Sequence, residues 1–385
     1  MHVTRLLVAL GATLIFITAC GENRGTGSAQ QHDKTGDGAS NGNAINVYLA
    51  TGAGALSPAA AAAKPLVYVP NTLSNSVTVI DPATHMVVRT FPTGKLPQHV
   101  VPSYDMRKLW VTNDMDDSLT SIDPATGAEG SRVRVSDPYN LYFTPDGTLA
   151  MVIAEAQHRV DLRDPVTMKL VQSVHVDCAG IDHVDFTADG KYALVTCEFS
   201  GQIVKLDLAA RKPVGYLRLL PAGSMPQDIR LSPDGRVMYV ADMMADGAHV
   251  IDPVALKEIG FIKMGKGTHG IVVGRGGRPF YFSNRGWSTL NGGRRGPGSI
   301  TVLDPITQKI LATWPIPDGG SPDMGNLSAD GKELWVSGRY DREVYAIDAT
   351  NGTLIARIPV GSEPHGLCIW PQPGRFSLGH TGNMR

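Results

Sequence analysis

The sequence has few cysteines, almost no excess of charge and none of the paired spacings typical of metal ligands. Only four cysteines occur among the 385 residues, so no disulfide framework is expected to stabilise the fold. The 35 basic and 36 acidic residues give a net charge of -1, which offers no field for nucleic acid or anionic membranes. His-x-x-His and Cys-x-x-Cys pairs, a Walker loop and a His-Glu-x-x-His helix are absent. Partners must therefore be recognised by shape and local chemistry.

The amino-terminal segment predicts export. Arg5 precedes an apolar run from Leu6 to Ile17, which is too short for a stable membrane span and is typical of a secretory signal. Residues 17–21 (ITACG) resemble a bacterial lipobox, so residues 1–19 are predicted to be a lipoprotein signal peptide and Cys20 to be lipidated. The alternative is a plain signal peptide with a chance cysteine. Residues 20–64 are rich in Gly, Ala and Ser and are predicted to form a flexible tether.

A recurring Asp at the end of a short apolar strand defines a repeat of 41 to 52 residues. The seven repeat aspartates are Asp81, Asp123, Asp164, Asp207, Asp252, Asp304 and Asp348. Asp-Gly turns such as Asp146-Gly147 and Asp234-Gly235 lie between apolar runs, as in tight hairpins. Each repeat is therefore a four-stranded meander, and a period of about 40 to 45 residues is that of a propeller blade.

Seven such repeats predict an all-β fold, a seven-bladed β-propeller of four-stranded antiparallel blades over residues 65–371. The first repeat lacks an opening strand, whereas the chain ends with a spare one from Pro364 to Trp370. We expect this strand to complete the first blade, so that pairing of the N- and C-terminal strands closes the ring. Residues 372–385 have no repeat character and are predicted to be an extended tail on the underside of the propeller.

Several repeats carry a motif known from a family of exported proteins. The segments 109–113 (LWVTN) and 238–242 (MYVAD), with 232–235 (SPDG) upstream and 76–81 (SVTVID) downstream in their repeats, resemble the YVTN-type (YncE-like) β-propeller repeats of bacterial exported proteins. The resemblance covers about residues 65 to 371. It implies the fold but not the activity, because this family and its relatives include surface-layer and binding proteins, lactonases and copper enzymes.

The innermost strand of each repeat begins with the candidate ligand-binding residues. In propellers of the resembled family this strand lines the central channel and starts at its mouth, so these side chains are expected to converge there. With two arginines from adjoining loops, the candidates are His99, Asn140, Asp182, His183, Asp228, His269, Asp323, His365, Arg285 and Arg339. Concave surfaces with converging polar groups are where ligands usually bind.

Part of this set suits a metal ion. Imidazole and thiolate ligands favour copper or zinc, and the candidates are His99, His183, His269, His365 and Cys197. Antiparallel counting places Asp182 opposite Cys197 and leaves Cys178 several residues past any partner, so a disulfide between the two cysteines is not supported. The alternative is that these polar residues are solvated walls of the channel.

Two classes of function remain open. The first is an envelope-anchored binding or scaffolding module that engages a protein, glycan or small ligand at the His-bearing mouth. The second is an enzyme, either a copper-dependent oxidoreductase using some of these histidines or a lactone hydrolase. A lactone hydrolase needs acidic ligands for a cation such as calcium, and the candidates are Asp182, Asp228, Asp242 and Asp323.

The expected partners follow from the predicted export. We expect a monomer that contacts the membrane through the lipid on Cys20, on the extracytoplasmic face of the cell membrane or the outer membrane, and that binds an envelope protein or small ligand but no nucleic acid. One repeat also contains an insertion, Arg285 to Pro297, on the same face as the histidines. Its arginines can gate the channel or bind an anion, or the insertion can be a solvated surface loop.

Overall fold

In the described part of the chain, twenty-eight strands form seven separate sheets, and each sheet is a four-stranded antiparallel meander. A computed structural model describes residues 45–287 and 293–385. The predicted signal peptide, the lipidation site Cys20, the tether up to residue 44 and residues 288–292 of the insertion lie outside the described residues. The predicted all-β, seven-bladed propeller is confirmed. Across these two ranges no helix has the length and apolarity needed to cross a membrane.

The strands of each blade run from the channel outwards. The inner strands of blades 1 to 7 are β28 Cys368–Trp370, β4 Pro97–Pro102, β8 Asn140–Phe143, β12 Ile181–Phe186, β16 Pro226–Leu231, β20 Thr268–Val273 and β24 Pro322–Leu327. The second strands are β1 Leu66–Asn71, β5 Leu109–Asn113, β9 Ala150–Ala154, β13 Tyr192–Cys197, β17 Met238–Asp242, β21 Phe280–Asn284 and β25 Glu333–Gly338.

The outer half of each blade completes the meander. The third strands are β2 Ser76–Asp81, β6 Ser118–Ile122, β10 Arg159–Arg163, β14 Gln202–Asp207, β18 Gly247–Asp252, β22 Ser299–Asp304 and β26 Glu343–Asp348. The outer strands are β3 Met86–Pro92, β7 Glu129–Arg134, β11 Leu170–His175, β15 Lys212–Arg218, β19 Lys257–Lys263, β23 Lys309–Pro315 and β27 Leu354–Pro359.

The ring is closed by its two ends, as predicted. Strand β28 pairs with β1 in antiparallel register, with Leu66 opposite Trp370 and Tyr68 opposite Cys368. Inner strands are buried except for Val273 at the end of β20, whereas outer strands such as β15 and β19 alternate between half-buried and exposed residues. The apolar core lies largely between neighbouring blades, since Ile153 of blade 3 and Val195 of blade 4 belong to one cluster. Packing of sheet on sheet therefore holds the ring together.

The boundary predicted for the flexible tether is wrong for residues 45–64. This segment forms a short 3-10 turn, Leu49–Thr51, and a short α-helix α1, Pro58–Ala61. The Tyr48 ring is buried, and its hydroxyl donates a hydrogen bond of 2.9 Å to the carbonyl of Leu231 at the end of inner strand β16. We call this end of the channel, where the inner strands finish, the underside. The segment is ordered because it covers apolar surface there.

The absence of a disulfide was also a wrong expectation. Cys178 and Cys197 form one, with Cα atoms 6.0 Å apart. A bulge between Ile181 and Val184 shifts the register, so that Ile181, and not Asp182, lies opposite Cys197. The preceding loop also extends the ladder, because Glu198 N donates to the Gly180 carbonyl. Cys178 thereby comes within reach of Cys197, which is not available as a metal ligand. Cys368 is buried and free.

The tail, residues 372–385, enters the channel from the underside. It folds back on itself through a bridge between Ser377 and Met384, whereas an extended tail was predicted. Gly379 forms a bridge with Tyr142 of inner strand β8, and Arg385 Nη2 lies 2.8 and 3.0 Å from the carboxylate oxygens of Asp185 on β12. Because the tail contacts the inner strands of several blades, it plugs the lower end of the channel.

Candidate functional site

The channel mouth carries acidic side chains on one side and basic side chains on the other. The residue that follows the second strand of each blade marks this rim, and from blade 1 to blade 7 these residues are Thr72, Asp114, Glu155, Glu198, Met243, Arg285 and Arg339. All of them except Met243 line one cavity, the mouth cavity. The three carboxylates come from consecutive blades 2 to 4 and the two arginines from blades 6 and 7. The wall is therefore acidic on one side and basic on the other.

The mouth cavity has a volume of about 390 Å³. Tyr139, His269 and His365 line it together with the charged rim. Two buried wall atoms, Oε1 of Gln98 and Nε of Arg339, have no hydrogen-bond partner among the described residues. Since buried polar groups are nearly always paired in folded proteins, these atoms are available to a polar ligand.

The acidic side holds its protons more tightly than free carboxyls do. Burial, with the neighbouring charges of Glu198, Asp114 and Asp137, raises the pKa of Glu155 to about 8. Burial and the Asp137 carboxylate raise the pKa of Asp114 to about 7. Burial also raises the pKa of Glu198. A cation entering the mouth would stabilise the ionised form of these groups and release protons.

The raised pKa values predict a loss of stability as pH rises. An unfolded glutamate ionises near pH ~4.3, whereas folded Glu155 ionises near 8, so between these values unfolding releases protons and higher pH favours it. We expect the free energy of unfolding to fall by about 1–3 kcal/mol between pH 5 and pH 8 through this group, because solvent screens part of the shift at the mouth. Urea unfolding at both pH values measures this change.

Glu155→Gln is expected to remove most of that pH dependence and to unfold at higher urea than the parent protein at pH 8. Asp177→Asn is the matched control, since the Asp177 side chain is 85% exposed. An equal pH dependence in the parent protein and Glu155→Gln would contradict the assignment.

Asp323 is the centre of the basic side. Its Oδ1 accepts hydrogen bonds from Arg285 Nη2 at 2.5 Å and Nε at 3.2 Å, and its Oδ2 lies 2.7 Å from His365 Nδ1. His269 Nδ1 lies 2.7 Å from Oδ1. Burial alone would raise the pKa of Asp323, but Arg285 and the two imidazoles hold it well below its usual range. Asp323 therefore fixes the His365 ring and the Arg285 guanidinium by hydrogen bonds, with the His269 ring in close contact.

Arg339 is less fully neutralised than Arg285. Its Nη1 lies 3.7 Å from Asp323 and its Nη2 lies 3.3 Å from Glu363. Arg339 is only 5% exposed, so a buried guanidinium with long contacts faces the mouth cavity. It is the cation best placed to receive an anionic group of a ligand.

Three imidazoles, two from inner strands and one from the tail, converge in the channel below the mouth cavity. His99, His183 and His380, the channel triad, each offer a ring nitrogen, and these nitrogens lie within 4.8 Å of one another. All three rings are buried, and burial lowers the pKa of His99 to about 3 and those of His183 and His380 well below the usual range. The rings are neutral, so each can offer a lone pair. The His365 ring, 4.8 Å from that of His99, connects the triad with the mouth.

Most of the predicted site residues fall into two groups. His99 and His183 join the triad, with Asn140 beside it, whereas His269, His365, Asp323, Arg285 and Arg339 form the basic side of the mouth. Asp182 is buried next to His183.

Asp228 is bound by Arg230 Nη1 at 2.5 Å and by the Ile271 amide, and burial raises its pKa to about 6. Cys197 is excluded from any metal site by its disulfide.

The acidic set proposed for calcium does not come together. Asp242 lies at the end of β17, where it accepts hydrogen bonds from the Met244 and Ala245 amides and lies 3.1 Å from His249 Nε2. Asp323 is neutralised by Arg285. Calcium usually takes about six to eight oxygen ligands, so a centre in which imidazoles predominate does not suit it.

The insertion contributes to the rim rather than to the channel floor. Arg285 is buried against Asp323, and Arg295 Nη2 lies 2.7 Å from Asp246. The ring of Trp287 lies 4.4 Å from that of Tyr340. In its described part, residues 285–287 and 293–297, the insertion thus closes over blades 5 to 7.

Sequence reasoning missed four site residues. Asp114, Glu155 and Glu198 each directly follow the second strand of their blade and so occupy the same place in their repeats. An alignment of the repeats extended by one residue would have found them. His380 lies in the tail, which has no repeat character, and no sequence signal places it in the channel.

These features define a class of protein, a closed seven-bladed β-propeller with a charged mouth and a channel plugged from below. The particular family follows from comparison with known proteins. The model of the YNCE-like beta-propeller family matches residues 43–373, and the chain belongs to that family.

Relatives and solved structures agree with this fold. The YncE proteins of Salmonella typhi and Salmonella typhimurium are each 23% identical to the chain, over 67% of its length and 73% of theirs. Hydrazine synthase of Kuenenia stuttgartiensis is similar in structure, with a TM-score of 0.58 and 20% identity over 69% of this chain and 87% of that one. A protein of Desulfotomaculum acetoxidans has a TM-score of 0.66 at 13% identity, over 80% and 99% of the two chains. At these identities the likeness concerns the fold alone.

Proposed function

We propose that the protein is a binding module of the cell envelope whose small polar ligand occupies the mouth cavity. The observation that carries this proposal is the cavity wall itself, where carboxylates of blades 2 to 4 face arginines of blades 6 and 7 across about 390 Å³. Ligand pockets commonly measure about 300–1,000 Å³, so the space suits a small molecule rather than a folded partner.

The charges of the wall favour a zwitterion. A primary amine would be held by Asp114, Glu155 and Glu198, and a carboxylate or phosphate by Arg339 with the His365 edge. A ligand with only one sign of charge would leave the other side of the wall unsatisfied. Because charge-assisted hydrogen bonds contribute about 1.5–3 kcal/mol each, two such ends give both affinity and orientation.

The location of the protein is part of this proposal. Its support is the amino-terminal signal with the lipobox-like segment around Cys20, which predicts an extracytoplasmic lipoprotein of the cell membrane or outer membrane. Fractionation of cells tests this: we expect the protein in the membrane fraction and the Cys20→Ser variant outside it. Equal distribution of the parent protein and the Cys20→Ser variant between the fractions would contradict the lipid anchor.

A thermal-shift panel tests the ligand class. The probes are the twenty common amino acids, putrescine as a cation alone and succinate as an anion alone. We expect at least one amino acid to raise the Tm, and to do so more than putrescine or succinate. A panel in which no zwitterion stabilises the protein more than the single-charge probes would overturn the ligand class.

Variants then locate the site. For the zwitterion that raises the Tm, Arg339→Gln is expected to weaken binding about 10- to 100-fold, the loss of one charge-assisted contact. Arg339→Lys should recover part of the affinity. Arg236→Gln is the matched control, since the Arg236 side chain is 84% exposed and lies in a turn of blade 5. Unchanged affinity in Arg339→Gln would place the ligand elsewhere.

A further inference from the structure

We propose that the channel triad holds a divalent transition-metal ion of the zinc or copper kind, bound by His99, His183 and His380 with Asp182 as the fourth ligand. The site lies below the mouth cavity and is independent of the zwitterion proposed there. It also differs from the metal set expected from the sequence, because the tail supplies one of its ligands. No comparison assigns a metal to this position.

The His99 ring is already oriented for a metal ion, and the His183 ring also has an unpartnered nitrogen. Nδ1 of His99 lies 3.0 Å from the Tyr139 carbonyl, and Nδ1 of His183 lies 3.2 Å from both the Tyr142 hydroxyl and the Asn140 amide. The opposite Nε2 atoms of both rings are buried and have no hydrogen-bond partner in the described chain. At His99 the Nδ1–H donates to a carbonyl and leaves Nε2 open, which is the arrangement typical of metal-binding histidines. At His183 the Tyr142 hydroxyl is the neighbour that can accept from Nδ1, because the Asn140 amide nitrogen is itself a donor.

Asp182 adds an acidic group beside the triad. Its side chain is fully buried with the Tyr139 hydroxyl as a polar neighbour, and neither oxygen meets hydrogen-bond geometry within the described residues. Such a carboxylate is expensive to bury alone. Its Oδ1 lies 3.1 Å from Nε2 of His183 without hydrogen-bond geometry. Two ligands of one metal ion approach each other in this way, since both point at the same atom and not at one another.

The third imidazole completes the set from below. Nδ1 of His380 lies 3.1 Å from the Asn140 amide, and its ring centroid lies 4.8 Å from that of His183 and 5.1 Å from that of His99. Asp228 Oδ2 lies 3.8 Å from His380 Nε2 and adds a second compensating carboxylate. The tail therefore plugs the channel and brings a donor to its axis.

The distances fit a tetrahedral ion after a small contraction. With metal–nitrogen bonds of about 2.0–2.1 Å, nitrogens in a tetrahedral site lie about 3.4 Å apart. One ring nitrogen of each triad histidine lies within 4.8 Å of the other two, and Asp182 Oδ1 lies 3.1 Å from His183 Nε2, so metal binding requires the rings to rotate inwards. Three imidazoles and one carboxylate suit zinc or copper(II), whereas a hard cation such as calcium prefers oxygen ligands.

His269 and His365 do not belong to this centre. Their Nδ1 atoms lie 2.7 Å from the two oxygens of Asp323, which holds them on the basic side of the mouth. The His365 ring lies between the mouth cavity and His99, so a metal ion entering from the mouth passes it.

Metal titration tests the proposal on the full chain. The purified protein is stripped with a chelator and titrated with zinc chloride or copper sulfate by calorimetry, and bound metal is counted by elemental analysis. We expect one equivalent, and a loss of affinity of at least about 100-fold in His183→Gln and His380→Gln. His175→Gln is the control for surface binding, because the His175 side chain is 71% exposed. Substoichiometric binding, or equal affinity in the triad and control variants, overturns the proposal.

A spectroscopic readout keeps the test independent of variant folding. Cobalt(II) bound to the unmodified protein is expected to give the intense visible absorption of a four-coordinate site, displaced by one equivalent of zinc. A weak spectrum of the six-coordinate kind overturns the proposal even if the triad variants fail to fold. Circular dichroism of each variant separates loss of metal from loss of fold.

Discussion

Replacing Asp323 with asparagine is expected to lower the free energy of unfolding by about 3–5 kcal/mol. The carboxylate is fully buried and neutralises Arg285, which is itself buried, while it also holds His269 and His365. Asparagine keeps the shape but removes the charge, so Arg285 is left buried with no adjacent counter-charge. Urea unfolding followed by circular dichroism measures the change.

A matched control and a double variant separate charge from shape. Asp318→Asn makes the same chemical change at an exposed position of blade 7's entry loop and should alter stability by less than about 0.5 kcal/mol. The double variant Asp323→Asn, Arg285→Met should lose less than the sum of the two single variants, because it leaves no unpaired charge. A loss below about 1 kcal/mol in Asp323→Asn would show that the pair is not buried as described.

Replacing Arg385 with methionine is expected to cost about 3–5 kcal/mol as well. The guanidinium contacts both oxygens of Asp185 and lies 4.2 Å from the centre of the Tyr48 ring. Methionine fills much of the same volume but leaves Asp185 buried without its cation. The tail would then be held by its apolar contacts, its backbone bridges and neutral side-chain hydrogen bonds such as that of Ser377 Oγ to the Pro102 carbonyl. Loss of the plug should also raise proteolytic cleavage within residues 376–385.

The tail itself offers the control for this change. Arg375→Met removes an exposed arginine that stacks on Phe376, and we expect an effect below about 0.5 kcal/mol. Limited proteolysis and urea unfolding should therefore separate the two variants clearly. Equal stability of Arg385→Met and Arg375→Met would mean that the tail does not occupy the channel in solution.

The fold could be predicted because the repeat signals are local. Each of the seven repeat aspartates ends or directly follows the third strand of its blade. Asp-Gly turns such as Asp234-Gly235 place the glycine at a positive φ, which is 71° at Gly235. Seven copies of the same local pattern leave one way to bury both faces of every sheet. The closure of the ring by pairing of β28 with β1 followed from the missing strand of the first repeat and the spare strand at the end of the last. None of these steps needed knowledge of side-chain contacts.

The site was predictable only where it follows the repeat. His99 and His183 lie at equivalent strand starts, and the structure brings them together. The bulge between Ile181 and Val184 is invisible to strand counting, so the Cys178–Cys197 disulfide was missed. His380 depends on how the tail folds back through the bridge between Ser377 and Met384, a long-range outcome of packing.

The most direct test of the site is an anomalous difference map, recorded at the zinc absorption edge from crystals grown with one equivalent of zinc per chain. We expect the strongest peak at about 2.1 Å from a nitrogen of each of His99, His183 and His380, with residues 376–385 inside the channel. A strongest peak at a surface histidine such as His175, or a tail that lies outside the channel, would contradict the arrangement described above.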